Sequence, residues 1–367
     1  MIKGIAKYRG IIISCLFVYL YLSSFALQDV YAATTPYATL IIFILMAVVF
    51  LGSFNPLERF KAKDTELIAA AAAAVIGAVN LFYLGSNKGA MLIAADNALL
   101  LYLAGKVPLS ERCRYFICAT GVSLMIPWYS VVRWYYNFNM AGLVFITLMV
   151  MGELLLEYAK NNFELYYLKY VQLLLYAVTI LMTVCYHARS AVLCVIAFGI
   201  VWLILPRISK SRAYYVLVAA ATAGSILFTL AYTAMGIRGI DLRILYKDVL
   251  SGRQDIWREL WGEFLLHPIT GIGSSYKMKS FFIFEVHNGL FDILVVHGIL
   301  VFALIVFLLV KRLADLKNVG YAFYPEKRLA AAGIYCYLFA SFFENCFIVP
   351  PYCIIVFVLF EIVLLEP

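Results

Sequence analysis

Charge is what this sequence has least of. Asp, Glu, Lys and Arg make up 14% of its 367 residues, against 65% hydrophobic ones, and the mean hydropathy is +0.93. A soluble domain carries roughly 25% charged residues, so an ordinary water-facing globular surface is excluded. Histidine is scarce too, with four in all, and no Asp-x-Asp element is present to hold a divalent ion. The eight cysteines are scattered over apolar stretches, with no Cys-x-x-Cys pair and none between residues 236 and 288. That pattern predicts neither disulfides nor zinc. There is no internal repeat and no low-complexity linker except the alanine run 69–74, which reads as close helix packing through small side chains.

Long apolar runs are what the sequence does have. Twelve can cover a hydrocarbon core of roughly 30 Å: 10–27, 37–53, 67–85, 89–104, 113–130, 138–155, 170–187, 188–205, 213–235, 289–310, 329–346 and 348–365. The expectation is an all-α, polytopic integral membrane protein, one membrane domain over residues 1–367. Nineteen of the 29 Lys and Arg residues fall in or at the edge of alternate gaps between these runs. The positive-inside rule then puts both termini in the cytoplasm. The formal charge of +8 therefore sets topology and does not point to nucleic acid, because the basic residues form no continuous face. Lys3, Lys7 and Arg9 before the first run, with Val30-Tyr31-Ala32 after it, imitate a signal peptide. The run exceeds the ~7–15 residues of a usual signal core and is read as a retained span.

One segment breaks the pattern. Residues 236–288 hold Arg238, Arg243, Lys247, Arg253, Arg258, Lys277 and Lys279, six acids, and two of the four histidines, His267 and His287. Parity places this loop outside, and segments this long are exempt from the charge rule. Within it, Ser251-Gly252-Arg253-Gln254 has a capping-box pattern, and Ile256, Trp257, Leu260, Trp261, Phe264 and Leu265 recur at helical spacing until His267-Pro268. This predicts an amphipathic helix with tryptophans at the membrane interface or over a cavity between the spans. Gly271-Ile272-Gly273-Ser274-Ser275 reads as a flexible turn. Arginine forks bind phosphate oxygens in pairs, so the collection suits a lipid-linked diphosphate. An interfacial loop whose arginines pair with nearby acids and lipid headgroups accounts for composition equally well.

Spacing takes the reading further. Arg189-Ser-Ala-Val-Leu193 opens the eighth run, Ser251-Gly252-Arg253 and Gly271-Ile272-Gly273 follow, and ten residues separate His287 from Gly298. Residues 185–300 thereby resemble the O-antigen ligase and polymerase family of bacterial surface-polysaccharide assembly, in which an Arg-x3-Leu and a His-x10-Gly element flank a large outer loop between spans nine and ten. The rest of the chain matches that family only in helix count and topology. The resemblance implies a metal-independent, inverting glycosyltransferase with no cofactor, in the bacterial cytoplasmic membrane with its active site facing outside. Donor and acceptor would be undecaprenyl-diphosphate-linked oligosaccharides, with membrane lipid around them and a chain-length regulator and a flippase as partners.

In that reading Arg189 and Arg253 clamp the diphosphate and His287 takes or orients the acceptor hydroxyl proton. Arg258, Arg243 and Arg238 are further substrate contacts, although Asp255 or Glu259 can neutralise Arg258. Asn288 assists acceptor binding. Glu344, near the end of the eleventh run, positions the acceptor or pairs with an arginine such as Arg189. His267 is a helix-end cap, and Asp96 a polar contact between helices. Polymerisation leads, with ligation to a lipid A core as the alternative. A transporter or flippase of lipid-linked oligosaccharide is the rival from another class, disfavoured because the charge lies in one asymmetric loop instead of at the bilayer midplane.

Overall fold

Inside a bilayer no water is present to satisfy backbone amides, so a chain this apolar must bond them within helices. In the computed structural model, which describes residues 2–21, 28–85, 88–132, 138–240, 243–244, 247–248, 252–279, 286–350 and 352–364, helices account for almost every ordered element. They are Ile2–Tyr21 (α1), Gln28–Ser53 (α2), Pro56–Lys61 (α3), Thr65–Tyr83 (α4), Lys88–Leu103 (α5), Glu111–Val132 (α6), Phe138–Asn162 (α7), Leu168–Cys185 (α8), Arg189–Ile208 (α9), Ala213–Ala221 (α10), Ala223–Ile237 (α11), Arg253–Leu266 (α12), Gly289–His297 (α13), Ile299–Asp315 (α14), Pro325–Ala340 (α15) and Tyr352–Leu364 (α16). Two two-residue strands, Arg243–Ile244 (β1) and Lys247–Asp248 (β2), pair antiparallel in the loop. Each of the twelve apolar runs overlaps a helix or a helix broken in two, although the eleventh, 329–346, leaves the helix after Ala340. Among the described residues, three helices are long and apolar enough to cross a membrane unaided: Ala141–Asn162 within α7, α8 and α9. A fourth span results if α10 and α11, bent by 54°, are taken together.

Small residues let the helices approach closely. Ala69, Ala70 and Ala73 are buried on α4, and a Cβ on Gly77 would stand 3.2 Å from that of Ala94 on α5, so the alanine run packs as expected. The centre of the bundle is α15 and α16, buried over nearly their whole length. Their polar atoms bond to other helices, as a water-free interior requires: the hydroxyls of Tyr337 and Thr147 lie 2.7 Å apart, and Tyr335 bonds the Tyr214 hydroxyl at 2.9 Å. The helix contact assigned to Asp96 is made instead by its neighbour. Asn97 donates to the Ile348 carbonyl at 3.0 Å, whereas neither Asp96 oxygen has a hydrogen-bond partner among the described residues. The eight cysteines are all free.

Between α11 and α14 the fold departs from straight spans. The tenth apolar run is broken at Gly298 (φ +84°) into α13 and α14. The break admits the loop's backbone: a Cβ on Gly298 would lie 2.0 Å from the Ile269 carbonyl, and one on Gly271 2.4 Å from that of Val296. The amides of Ile272 and Gly273 bond the carbonyls of Val295 and Val296 at 2.9 and 3.2 Å, satisfying groups that a helix C-terminus leaves unpaired. Residues 271–273, expected to be a flexible turn, are therefore buried and fixed. Seen this way, the ten-residue spacing from His287 to Gly298 is the length of one short helix and its two ends.

Candidate active site

The loop helix α12 has the expected extent but not the expected cap or surroundings. Gly252, at φ +86°, occupies the N-cap position without a side-chain bond, and Ser251 lies outside the described residues. His267 ends the helix as its C-cap. Trp257, expected at the membrane interface or over a cavity between the spans, is fully buried. Its ring meets Phe228 and Tyr232 of α11 edge-on, and its indole N–H donates to the Val286 carbonyl at 2.7 Å. The physical reason is burial on both sides, since Ile256, Leu260 and Phe264 share one apolar cluster with Phe291, Leu294 and Val295 of α13. The tip of the loop folds back on α12 through Glu259, which accepts from the Tyr276 hydroxyl at 2.9 Å and the Lys279 amide at 2.6 Å.

Val286 leads directly into His287, one of four non-glycine residues with positive φ among the described residues (+54°), a conformation that costs a non-glycine residue on the order of 1–3 kcal/mol and concentrates at functional sites. On its other side, Asn288 caps α13. Its Oδ1 accepts from the Phe291 amide and the Ser225 hydroxyl, both at 2.9 Å, and its Nδ2 donates to the carbonyls of Phe342 and Ser225 at 3.2 and 3.4 Å. Fully buried, with donors and acceptors engaged, Asn288 ties the loop to α11 and to the link after α15.

The stretch 341–350 carries Glu344. Its Oε1 accepts from Arg253 Nη2 at 2.5 Å, and its Oε2 lies 3.1 Å from His287 Nδ1. Residues 91 and 57 positions away thus meet on one carboxylate. All three side chains are at most one-fifth exposed. The guanidinium of Arg253 supplies the countercharge that a buried carboxylate needs in order to stay ionised. An ionised carboxylate only accepts hydrogen bonds, so His287 Nδ1 is the donor at this contact, and Nε2 is the ring nitrogen not engaged by it.

Arg189 begins α9, half-buried. Its neighbour Ser190 lines a recess with Leu143, Ile146, Ala191, Cys194, Ala340 and Glu344. A Cβ on Gly142 of α7 would lie 2.6 Å from that of Ala191, so the absence of a side chain there sets the head of α9 against α7. Glu344, expected to position the acceptor or to pair with an arginine such as Arg189, accepts from Arg253. Arg258 forms a 3.6 Å pair with Asp255, each about half exposed, and Arg238 is exposed at the end of α11. Arg243 stands in β1 opposite Asp248; its side chain lies outside the described residues. The structure thus gathers Arg253, His287 and Glu344, with the head of α9 across the recess, and leaves Arg258 and Arg238 at the surface. Sequence reasoning missed the tether from Trp257 to Val286 and the part of Ser225, because neither leaves a local pattern.

No curated protein and no solved structure matches the chain. A family does: residues 173–306, a little over a third of the chain, match the family model described as O-antigen ligase, and that stretch contains Arg189, Arg253 and His287.

Proposed function

We propose that the protein is a polysaccharide polymerase of twelve spans that moves a glycan from undecaprenyl diphosphate to a hydroxyl of a lipid-linked repeat unit, on the outer side of the bacterial cytoplasmic membrane. The observation that carries this reading is the meeting of Arg253 and His287 on Glu344 beside the recess that the head of α9 lines. It sets a phosphate-binding cation next to a proton acceptor, the two functions a direct displacement requires. In the reaction the bond from the anomeric carbon to the diphosphate breaks, and the diphosphate leaves with the electron pair. The acceptor oxygen bonds to that carbon from the opposite face, and its proton goes to His287 Nε2. Arg253 and Arg189 offset the charge that develops on the leaving diphosphate, where fixed cations in a partly dry site act most strongly. Arg258, Arg243 and Arg238 belong to the outer approach of the anionic donor. A chain-length regulator and a flippase supplying the repeat units fit the same reading. Ligation to a lipid A core uses the same chemistry with another acceptor and is the second reading, because the matched family is described by that activity.

The test is incubation of purified protein with undecaprenyl-diphosphate-linked repeat units in the presence of EDTA, followed by gel analysis of the glycan. A ladder that disappears in His287→Ala supports the polymerase. Transfer only after lipid A core is added makes the protein a ligase. No transfer to either acceptor, with lipid-linked sugar crossing liposome bilayers, moves it to the transporters.

A further inference from the structure

Resting on the reading of Arg253 as a diphosphate ligand and His287 as the proton acceptor, we propose that Glu344 is a positioning residue that couples donor binding to activation of the base. It holds Arg253 on one oxygen and His287 on the other. When Arg253 turns to the donor's diphosphate, the carboxylate loses a cationic partner and more of its charge acts on His287. The imidazole then becomes a better proton acceptor at the moment the leaving group is in place. Glu344 neither gains nor loses a proton; the proton passes from the acceptor hydroxyl to His287 Nε2.

The two partners differ in how firmly they are held, and that difference is what makes the device work. His287 is pinned on both sides, by the bond from Trp257 to Val286 and by the four bonds of Asn288, so it cannot follow Arg253 away. Arg253 is the first residue of α12, just after a glycine in the left-handed region, and swings on a long side chain while its helix stays packed. Other titratable groups are close by. Asp292 of α13 is held by Asn345 at 2.6 Å, the Cys346 thiol lies within electrostatic reach of Glu344, and Ser190 beside Arg189 faces Glu344 across the recess. The device does not need Glu344 to be otherwise unpartnered. It needs only that one of its cations be movable and the other fixed.

The test is a double-mutant cycle on the titration of His287. Full-length protein in lipid nanodiscs, labelled with 15N-histidine, is titrated as wild type, Arg253→Gln, Glu344→Gln and the double variant, with His287→Gln identifying the resonance. Arg253→Gln should raise the His287 midpoint by at least ~0.5 pH unit, as removal of a neighbouring cation does, and the rise should vanish when Glu344 is already Gln. Inorganic pyrophosphate should raise the midpoint more in wild type than in Glu344→Gln. In the transfer assay Glu344→Gln should slow the reaction about 10-fold or more and displace the acid limb of its pH profile, consistent with weakened general-base catalysis, and Glu344→Asp should recover part of the rate. An equal shift from Arg253→Gln with and without Glu344, or wild-type rate and pH profile in Glu344→Gln, overturns the proposal. If wild type transfers no glycan but the cycle shows coupling, the functional reading fails and the electrostatic device stands.

Discussion

The indole N–H of Trp257 and the carbonyl of Val286 are joined by a 2.7 Å hydrogen bond inside the protein, and through it the loop helix holds the residue that precedes His287. Trp257→Phe keeps most of the ring and removes the donor. Leaving the carbonyl unsatisfied should destabilise the fold by about 1–3 kcal/mol and reduce glycan transfer more than a loss of folded protein accounts for. Trp257→Ala, which also opens a cavity, should cost about 3–5 kcal/mol. Thermal unfolding in detergent beside the transfer assay separates the two effects. Equal activity per folded molecule in Trp257→Phe and wild type would show that the tether does not position His287.

Asn288 makes the second attachment. Asn288→Ala removes the cap of α13, worth typically ~1 kcal/mol, and strands the buried carbonyl of Phe342 and hydroxyl of Ser225, so the sum should exceed the cap alone. Asn288→Asp keeps a capping oxygen but loses the donor to Phe342 and should lie between. A role in sugar binding would instead leave stability intact and raise KM for the acceptor. Melting temperatures measured without any substrate decide between the two.

The glycines of the loop divide by what a methyl group would meet. Gly271→Ala and Gly298→Ala put a Cβ within 2.4 and 2.0 Å of backbone oxygens at positive φ, where nothing flexible can yield; each should lower expression of folded protein sharply. Gly262, in the middle of α12 with open space around its Cβ position, is the control. Gly262→Ala should be neutral or stabilise by about 0.5–1 kcal/mol. If Gly271→Ala melts with wild type, the close passage of loop and α13 is not fixed in solution.

The helices were legible in the sequence because their signal is local: an apolar run is long enough or it is not, and each of the twelve runs contains a helix or a broken pair of helices among the described residues. The extent of α12 was equally legible, bounded by Gly252 and His267. What could not be read was which side of α12 is buried, since an interfacial helix and one packed between α11 and α13 carry the same apolar spacing. The site divides similarly. Arg189, Arg253 and His287 stand out as candidates through spacing along the chain, but the partner of Arg253 does not, because Glu344 lies 91 residues away and an acid near the end of an apolar run carries no mark of which cation it meets. Asn288 is of the same kind: its place beside His287 suggests chemistry, and only the positions of Ser225 and Phe342 reveal a brace.

Arg253 and Arg258 are five positions apart on one helix, and the structure predicts opposite outcomes for their removal. Arg258 pairs with Asp255 at 3.6 Å with both side chains about half exposed; such surface pairs contribute about 0–1 kcal/mol. Arg258→Ala should therefore leave stability unchanged within error and change transfer mainly through the concentration of donor needed, with a larger effect at low salt, where attraction of an anionic lipid is least screened. Arg253 is mostly buried and charge-paired, so Arg253→Ala should abolish transfer and cost on the order of 1–3 kcal/mol from the weakened satisfaction of Glu344. Arg253→Lys separates charge from shape. A lysine restores the positive charge but not the planar fork that engages two oxygens at once, so stability should recover and transfer should not. Folded yield, melting temperature and ladder formation for the three variants make the comparison. Near-normal polymer from both Arg253→Ala and Arg253→Lys would remove Arg253 from the reaction altogether and leave its contact with Glu344 a packing feature of the loop.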